Sequence, residues 1–276
     1  MLVYPRAKIN LGLYVTARRP DGYHDLQTVF YPIPLCDVIE TKPLSTMDAA
    51  PYVLRTEGYA PCANPEDNLV VRVYRDMARE FDLPPLDILL QKRVPMGAGL
   101  GGGSSDAAAM MTGLNEEYGL GLTDDEMERR IAPYGADCAF FIRSRAAWAT
   151  GIGDRLSAYP LSLAGYHLVL VKPDVFVSTR EAYAGITPRT PRYDLRESLQ
   201  RPIAEWRDTV SNDFEEGVFA LHPEIAAIKQ TLYDMGALYA SMSGSGSTVF
   251  ALFSRPVPEA VRVFANDFVY TKALVR

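Results

Sequence analysis

Cysteine is scarce. The chain of 276 residues has three, Cys36, Cys62 and Cys138, widely spaced and without a Cys-x-x-Cys pair. That pattern is poor for a disulfide framework or a zinc site, and it suits a reducing cytosol. Long apolar runs are missing as well. The most apolar strand-like run, 168–171, is far too short to span a bilayer, and the opening MLVYPRAKIN has no apolar core for a signal peptide. A cytoplasmic protein is the expectation. Positive charge is in deficit, 28 Lys and Arg against 34 Asp and Glu, for a net charge of −6. A general nucleic-acid surface is therefore disfavoured, and an anionic ligand must be met by local donors. Repeats, charge blocks and low-complexity tracts are not found either. What is present, 48% hydrophobic and 22% charged residues, is the composition of a folded protein of one large or two ordinary domains.

One stretch stands out. Residues 95–109 read PMGAGLGGGSSDAAA, with Gly97, Gly99, Gly101, Gly102 and Gly103 crowded together. Glycine lets a chain take positive φ and bring backbone N–H groups close to a ligand. A helix signal follows through Ala107, Ala108, Met111 and Leu114, with Ser104 or Ser105 expected as its cap. A helix N-terminus so placed favours a polyphosphate. Other phosphate loops do not fit. A dinucleotide fold wants an acidic residue at the end of a second strand about 20 residues on. Asp124 and Asp125 fall there, but they open another helix. A Walker loop wants a lysine after the glycines, and protein kinases want HRD and DFG elements, all absent.

Along the chain, 7–15 alternates like a strand and sets Lys8 and Asn10 on one face. A solvated strand face is the plain alternative. Pro20-Asp21-Gly22 is a turn carrying Tyr23 and His24, which also reads as ordinary turn decoration. Strands are expected at 26–33, 52–57, 86–94, 146–150, 167–171, 239–242, 248–253 and 270–275. Helices are expected after Asn68, after the capping box at Thr123 to Glu126, and over 223–234 and 258–268. Residues 189–201 are polar and proline-bearing, so mobility is expected. The order near the C-terminus suggests helices on an antiparallel sheet in a split βαβ arrangement.

Three short motifs occur in order: Lys8-Ile9-Asn10-Leu11, the glycine stretch, and Ser243-Gly244-Ser245-Gly246. Together they resemble the GHMP kinases, named for the galacto-, homoserine, mevalonate and phosphomevalonate enzymes. The resemblance covers essentially the whole chain. It implies an α+β, two-domain fold, with an N-terminal ATP-binding domain over 1–155, a ferredoxin-like domain over 156–276, and the active site between them. Arg19 to His24, Gly135-Ala136-Asp137 and 211–215 narrow the likeness. They point to the branch that uses ATP and Mg2+ to phosphorylate the 2-hydroxyl of a methylerythritol linked to cytidine diphosphate, in isoprenoid biosynthesis.

The site residues follow from that resemblance alone. Lys8 and Asp137 match the catalytic pair. Asn68, Lys92, Pro95, Met96, Gly97, Ala98, Gly99, Leu100, Gly101, Gly102, Gly103, Ser104 and Ser105 match the ATP site. Asn10, Tyr23, His24, Asp137 and Tyr183 match the acceptor site, His24 reading the cytosine edge and the two tyrosines stacking on the base. Asp106 sits where a Mg2+ ion could be reached, or serves the helix dipole. The segment after Asp137 departs from the family, which usually has Val-Pro-Phe-Phe where this chain has Cys138-Ala139-Phe140-Phe141. Small molecules, not nucleic acid or membrane, are the expected partners. A homoserine- or mevalonate-type kinase and an inactive ligand sensor are the competing readings. Tyr23-His24 speaks against the first, and the presence of both Lys8 and Asp137 against the second.

Overall fold

The computed structural model describes residues 1–44, 51–59 and 64–275. Cys62 lies outside them, and Cys36 and Cys138 are free thiols. The strands among the described residues are β1 (Leu2–Val3), β2 (Arg6–Arg18), β3 (His24–Cys36), β4 (Val38–Pro43), β5 (Tyr52–Gly58), β6 (Leu86–Lys92), β7 (Ala147–Thr150), β8 (Arg155–Ala158), β9 (His167–Lys172), β10 (Tyr239–Met242), β11 (Val249–Phe253) and β12 (Phe268–Ala273). The helices that matter here are α1 (Leu69–Phe81), α2 (Gly102–Glu117), α3 (Asp124–Ile131), α4 (Cys138–Arg143), α5 (Thr179–Ala184), α6 (Leu195–Leu199), α7 (Trp206–Thr209), α8 (Phe214–Leu221), α9 (Pro223–Asp234) and α10 (Ala260–Val263). They fall into two compact units that interleave along the chain. Unit 1 is Met1–Ala7, Leu35–Met96 and Gly101–Ser144, and unit 2 is Lys8–Pro34, Gly97–Leu100 and Arg145–Arg276.

Unit 1 holds a sheet of order β1-β4-β6-β5, parallel only between β5 and β6. In β6 the residues alternate, so Leu86, Ile88 and Leu90 are buried together with Lys92. Helix α1 begins where Asn68 Oδ1 accepts from the Val70 N–H at 3.0 Å, as its side chain predicts. It buries Val70, Val73, Tyr74 and Met77. The capping box at Thr123 starts α3.

Unit 2 holds two sheets. One has the order β2-β3-β7-β8. The other, β10-β11-β9-β12, is antiparallel throughout. Its chain order gives the split βαβ topology expected. Val169, Val171, Val249, Ala251 and Phe253 from this sheet, with Phe214 and Val218 of α8 and Ile225, Ile228 and Leu232 of α9, form one core that also takes in Leu13 and Val15 of β2.

Several expectations fail for physical reasons. No side chain caps α2, because it starts at Gly102, earlier than read, with Gly101 at φ 72° before it. Ser104 and Ser105 lie inside its first turn, and Ser105 Oγ donates instead to the Arg6 carbonyl at 2.7 Å. Residues 189–201, expected to be mobile, carry anchoring contacts. Arg189 donates its N–H to Val15 O at 3.1 Å, and Leu195 and Leu199 of α6 are buried. The helix expected over 258–268 shrinks to α10, which buries Ala260 while Val261 and Val263 face solvent. Strand β12 starts correspondingly early, at Phe268.

Candidate active site

Strand β2 carries Lys8 and Asn10 into the interior of unit 2, each 3% exposed. The solvated-face alternative is therefore excluded. Lys8 Nζ donates to Asn10 Oδ1 at 2.6 Å and lies 5.0 Å from the centre of the Phe30 ring. Asn10 Nδ2 donates to Thr28 Oγ1 at 3.0 Å, and Thr28 Oγ1 in turn donates to the Gly12 carbonyl. This chain of hydrogen bonds fixes the amide, with its oxygen toward the ammonium. A buried ammonium so held is a fixed positive charge for a group that becomes anionic.

Two further motifs meet this strand. The Lys8 N–H donates to Leu100 O at 2.9 Å, and the Asn10 N–H to Ser243 Oγ at 3.3 Å. Ser243 Oγ donates to Gly99 O at 2.9 Å. Thr248 donates its N–H to Ala98 O at 3.4 Å. Residues 97–100 of the glycine stretch, the Lys8 motif and the Ser243 motif therefore come together within unit 2. Glycine is required where they meet, since Gly99 has φ 72° and a Cβ there would stand 1.9 Å from Ser243 O.

The sequence 211–215 supports this junction. Leu13 N–H donates to Ser211 O at 2.9 Å, and Asp213 N–H to Leu13 O at 2.8 Å. Asn212 Nδ2 donates to the carbonyls of Met242 and Gly244, both at 2.8 Å. Glu215 Oε1 accepts from Ser241 Oγ at 3.0 Å and Met242 N–H at 2.8 Å, and Lys229 sits 2.6 Å from Oε2. Thr28, Asn212 and Glu215 escaped the reading of the sequence as site residues. Asn212 and Glu215 lie in the 211–215 motif, which marked the segment but not their roles, and Thr28 showed only as a polar residue in an apolar pattern.

An aromatic corner lies in the same unit. His24, at the start of β3, stacks on Tyr183 of α5 with ring centres 4.8 Å apart and planes 24° from parallel. Tyr183 meets Phe214 edge-on, also at 4.8 Å. The Ser178 capping box aims α5. Tyr23, by contrast, is 61% exposed; its backbone is held in the turn by Asp21 Oδ1 at 3.0 Å. Phe176 was also missed. It is 69% exposed, and its ring edge lies where a Cβ on Gly97 would stand 2.6 Å away. A lone Phe in an extended run gives no sequence signal.

Unit 1 supplies the rest of the predicted residues. Pro95 is buried, and Met96 is 47% exposed. Gly101 in the left-handed region starts α2, whose first residues are Gly102, Gly103, Ser104 and Ser105. Lys92 is buried and ion-paired with Asp37 and with Asp106, the latter at 2.6 Å. Asp37 Oδ1 also accepts from the Arg93 and Val94 N–H groups. Burial pushes the Asp106 carboxyl up to about 7 against the pull of the Lys92 ammonium, with Asp37 adding to the rise. Asp137, half-buried, stands directly before α4 and makes no capping hydrogen bond to it. Beside it, burial pushes the Cys138 thiol up to about 11, so this cysteine is an inert packing residue.

Among the described residues no group of three or more His, Cys, Asp or Glu side chains is placed to hold a metal ion. Asp106 has one carboxylate oxygen on Lys92 and is 3% exposed. These donors do not make an all-protein cage. They are compatible with Mg2+ arriving on nucleotide phosphates and keeping its water, the ion's usual habit. Among the described residues, no helix is long and apolar enough to cross a membrane.

Comparison with known proteins agrees with this geometry. The model of the GHMP kinases N terminal domain matches residues 68–145, and that of the GHMP kinases C terminal matches 195–271. The chain is 54% identical over 254 residues to 4-diphosphocytidyl-2-C-methyl-D-erythritol kinase of Bacteroides fragilis, with 92% of each chain covered. It is 53% identical over 253 residues to the kinase of that name from Bacteroides thetaiotaomicron, again with 92% of each covered. A crystal structure of 4-(cytidine 5'-diphospho)-2C-methyl-D-erythritol kinase superposes with a TM-score of 0.82 at 32% identity, covering 98% of both chains. Two matching domains, and 54% identity over 254 residues to a named kinase, settle the family: the chain belongs to the GHMP kinases.

Proposed function

We propose that this kinase transfers a phosphoryl group from ATP to the 2-hydroxyl of 4-diphosphocytidyl-2-C-methyl-D-erythritol, a step toward isoprenoid precursors. ATP as donor follows from membership of the family. The acceptor follows from the relatives that share about half of its residues, and the observation that carries it here is the stacked His24–Tyr183 pair. A flat aromatic pair with a polar ring edge suits a cytosine: stacking supplies affinity, and hydrogen bonds to the edge choose the base. Homoserine and mevalonate have no ring to stack.

Phosphoryl transfer passes through a loose transition state, so positioning and charge stabilisation dominate. Asp137 takes or orients the proton of the acceptor hydroxyl. Lys8, fixed by Asn10, stabilises the developing charge. Residues 95–105 cradle the ATP phosphates with backbone N–H groups, Asn68 and Lys92 serve the nucleotide end, and Tyr23 closes on the base beside His24 and Tyr183. Asp106 is the side chain that would reach a Mg2+ ion carried by the nucleotide, and the chemistry such an ion would supply is neutralisation of phosphate charge. The protein acts in the cytoplasm, and residues 1–155 and 156–276 are its N-terminal ATP-binding domain and its C-terminal GHMP kinase domain.

The test is ADP release with purified protein, ATP and Mg2+, against the cytidine-bearing alcohol, methylerythritol phosphate, homoserine and mevalonate. Turnover with the first alone is the expected result. Turnover with another alcohol removes the cytosine pocket from the reading, and turnover with none removes the kinase activity.

A further inference from the structure

We propose that His222 is a positioning residue for the aromatic corner: by holding Glu181 it sets helix α5, and through α5 the ring of Tyr183 against His24. The proposal rests on the acceptor reading above, in which that corner receives the base.

Helix α5 is six residues long. A helix so short is not stable alone in water, and its place is set by what it packs on. Its bed is α8. At the start of α8 the Phe214 ring meets Tyr183 edge-on. Further along, Gly217 comes so close to Gly185, the residue after α5, that a Cβ on Gly185 would stand 3.6 Å from the Gly217 α-carbon. Just past the far end of α8 is His222, whose Nε2 lies 3.1 Å from Glu181 Oε1. The first two contacts are apolar, and apolar contact is non-directional. The third is a hydrogen bond, which fixes distance and angle together.

Glu181 joins the helix to its anchor. Its Oε2 accepts from the Ser178 N–H at 3.4 Å, and Ser178 Oγ accepts from the Glu181 N–H at 3.1 Å, which closes the capping box that starts α5. The other oxygen is the one His222 holds. One carboxylate thus starts the helix and ties it down, two residues before Tyr183. His222 is itself fixed. Its N–H donates to Val218 O at 2.8 Å, its carbonyl accepts from the Ile225 N–H at 3.0 Å, and Pro223 follows at once to open α9. The imidazole is mostly buried, with Nδ1 3.7 Å from Glu224 Oε1. A carboxylate only accepts, so the bond to Glu181 puts a proton on Nε2.

The experiment is nuclear magnetic resonance of the full chain without substrates, followed by steady-state kinetics. The chain has only three histidines, so the ring signals of His24 can be assigned by substitution. In wild type they should be displaced by the Tyr183 ring stacked on them. His222→Ala should move them toward those of an unstacked imidazole. His222→Gln keeps an N–H donor in the place of Nε2 and should restore them. Signals unmoved in the Ala variant, or not restored by Gln, overturn the proposal. If His222→Ala does not fold, wild type and the Gln variant decide: an Nε2 without a proton, or a His24 stack lost in His222→Gln, overturns it. In kinetics His222→Ala should raise the KM for the cytidine-bearing alcohol about threefold, less than the roughly tenfold of losing a stacking contact outright. Both kcat and the KM for ATP should stay at wild type, and an equal rise in both KM values overturns the proposal. Displaced His24 signals with an unchanged acceptor KM, or with no turnover of that alcohol by wild type, keep His222 as the group that sets Tyr183 and remove the acceptor reading instead.

Discussion

The Gly99 α-carbon and the Ser243 carbonyl oxygen are so close that a methyl group on Gly99 would stand 1.9 Å from that oxygen. Gly99 is also at φ 72°. Gly99→Ala should therefore meet both backbone strain and a backbone clash, and lower stability by about 2 kcal/mol or more. Urea midpoints would measure it. A variant as stable as wild type would show that the loops part easily.

Removing the proposed catalytic groups should separate chemistry from binding. Asp137→Asn and Lys8→Met are each expected to lower kcat by roughly 10²–10⁴. Binding of an ATP analogue should stay within about threefold of wild type. Equal activity in either variant would take that residue out of the mechanism.

The aromatic corner should belong to the acceptor. His24→Ala and Tyr183→Ala should each raise the KM for the cytidine alcohol by about tenfold, the worth of one stacking contact. KM for ATP should not move. Tyr183→Phe keeps the stack with His24 and should raise that KM less than Tyr183→Ala does. A matching rise in both KM values would place the pair elsewhere.

Stability should depend on pH through Asp106. Its carboxyl is raised from 3.8 in the open chain to about 7 in the fold. Between those values the folded state binds the extra proton, so this group's contribution is full below about pH 4 and falls as pH rises to 7. The difference in Tm between wild type and Asp106→Asn should shrink or change sign across that window. A constant difference would mean the group titrates normally.

Glu215 is predicted to matter for folding and not for chemistry. Glu215→Ala leaves Ser241, the Met242 N–H and Lys229 without their shared acceptor. A loss of about 2–4 kcal/mol is expected by denaturant titration.

Much of this was legible in the sequence because the signals are local. Asn68 and Thr123 announce α1 and α3 by caps that need only three or four residues. The glycine stretch announces a backbone conformation, and Gly97, Gly99 and Gly101 all have positive φ. What was not legible is long-range. Asp37 gives no sign that it will meet Lys92, nor Glu215 that it will hold Met242. Residues 189–201 look like a polar linker, yet Leu195 fills the space left by the missing side chain of Gly12, where a Cβ would stand 2.5 Å from its Cδ1. Polarity along the chain says little about a leucine whose partner lies on a distant strand.

The interleaving of the two units carries a consequence for synthesis of the protein. Residues 8–34 leave the ribosome well before their partners, with Ile9, Leu11, Leu13 and Val15 all destined for burial. Thr28 on β3 pairs with Ala149 on β7, and Leu13 and Val15 pack with residues as late as Phe264. At about 5–20 residues per second, the first strands wait on the order of ten seconds for their neighbours. During that interval a sticky hairpin is on display. Strands β2 and β3 thus lack their native cover until residues as late as Phe264 have been made, and the core of unit 2 closes only after that point in synthesis.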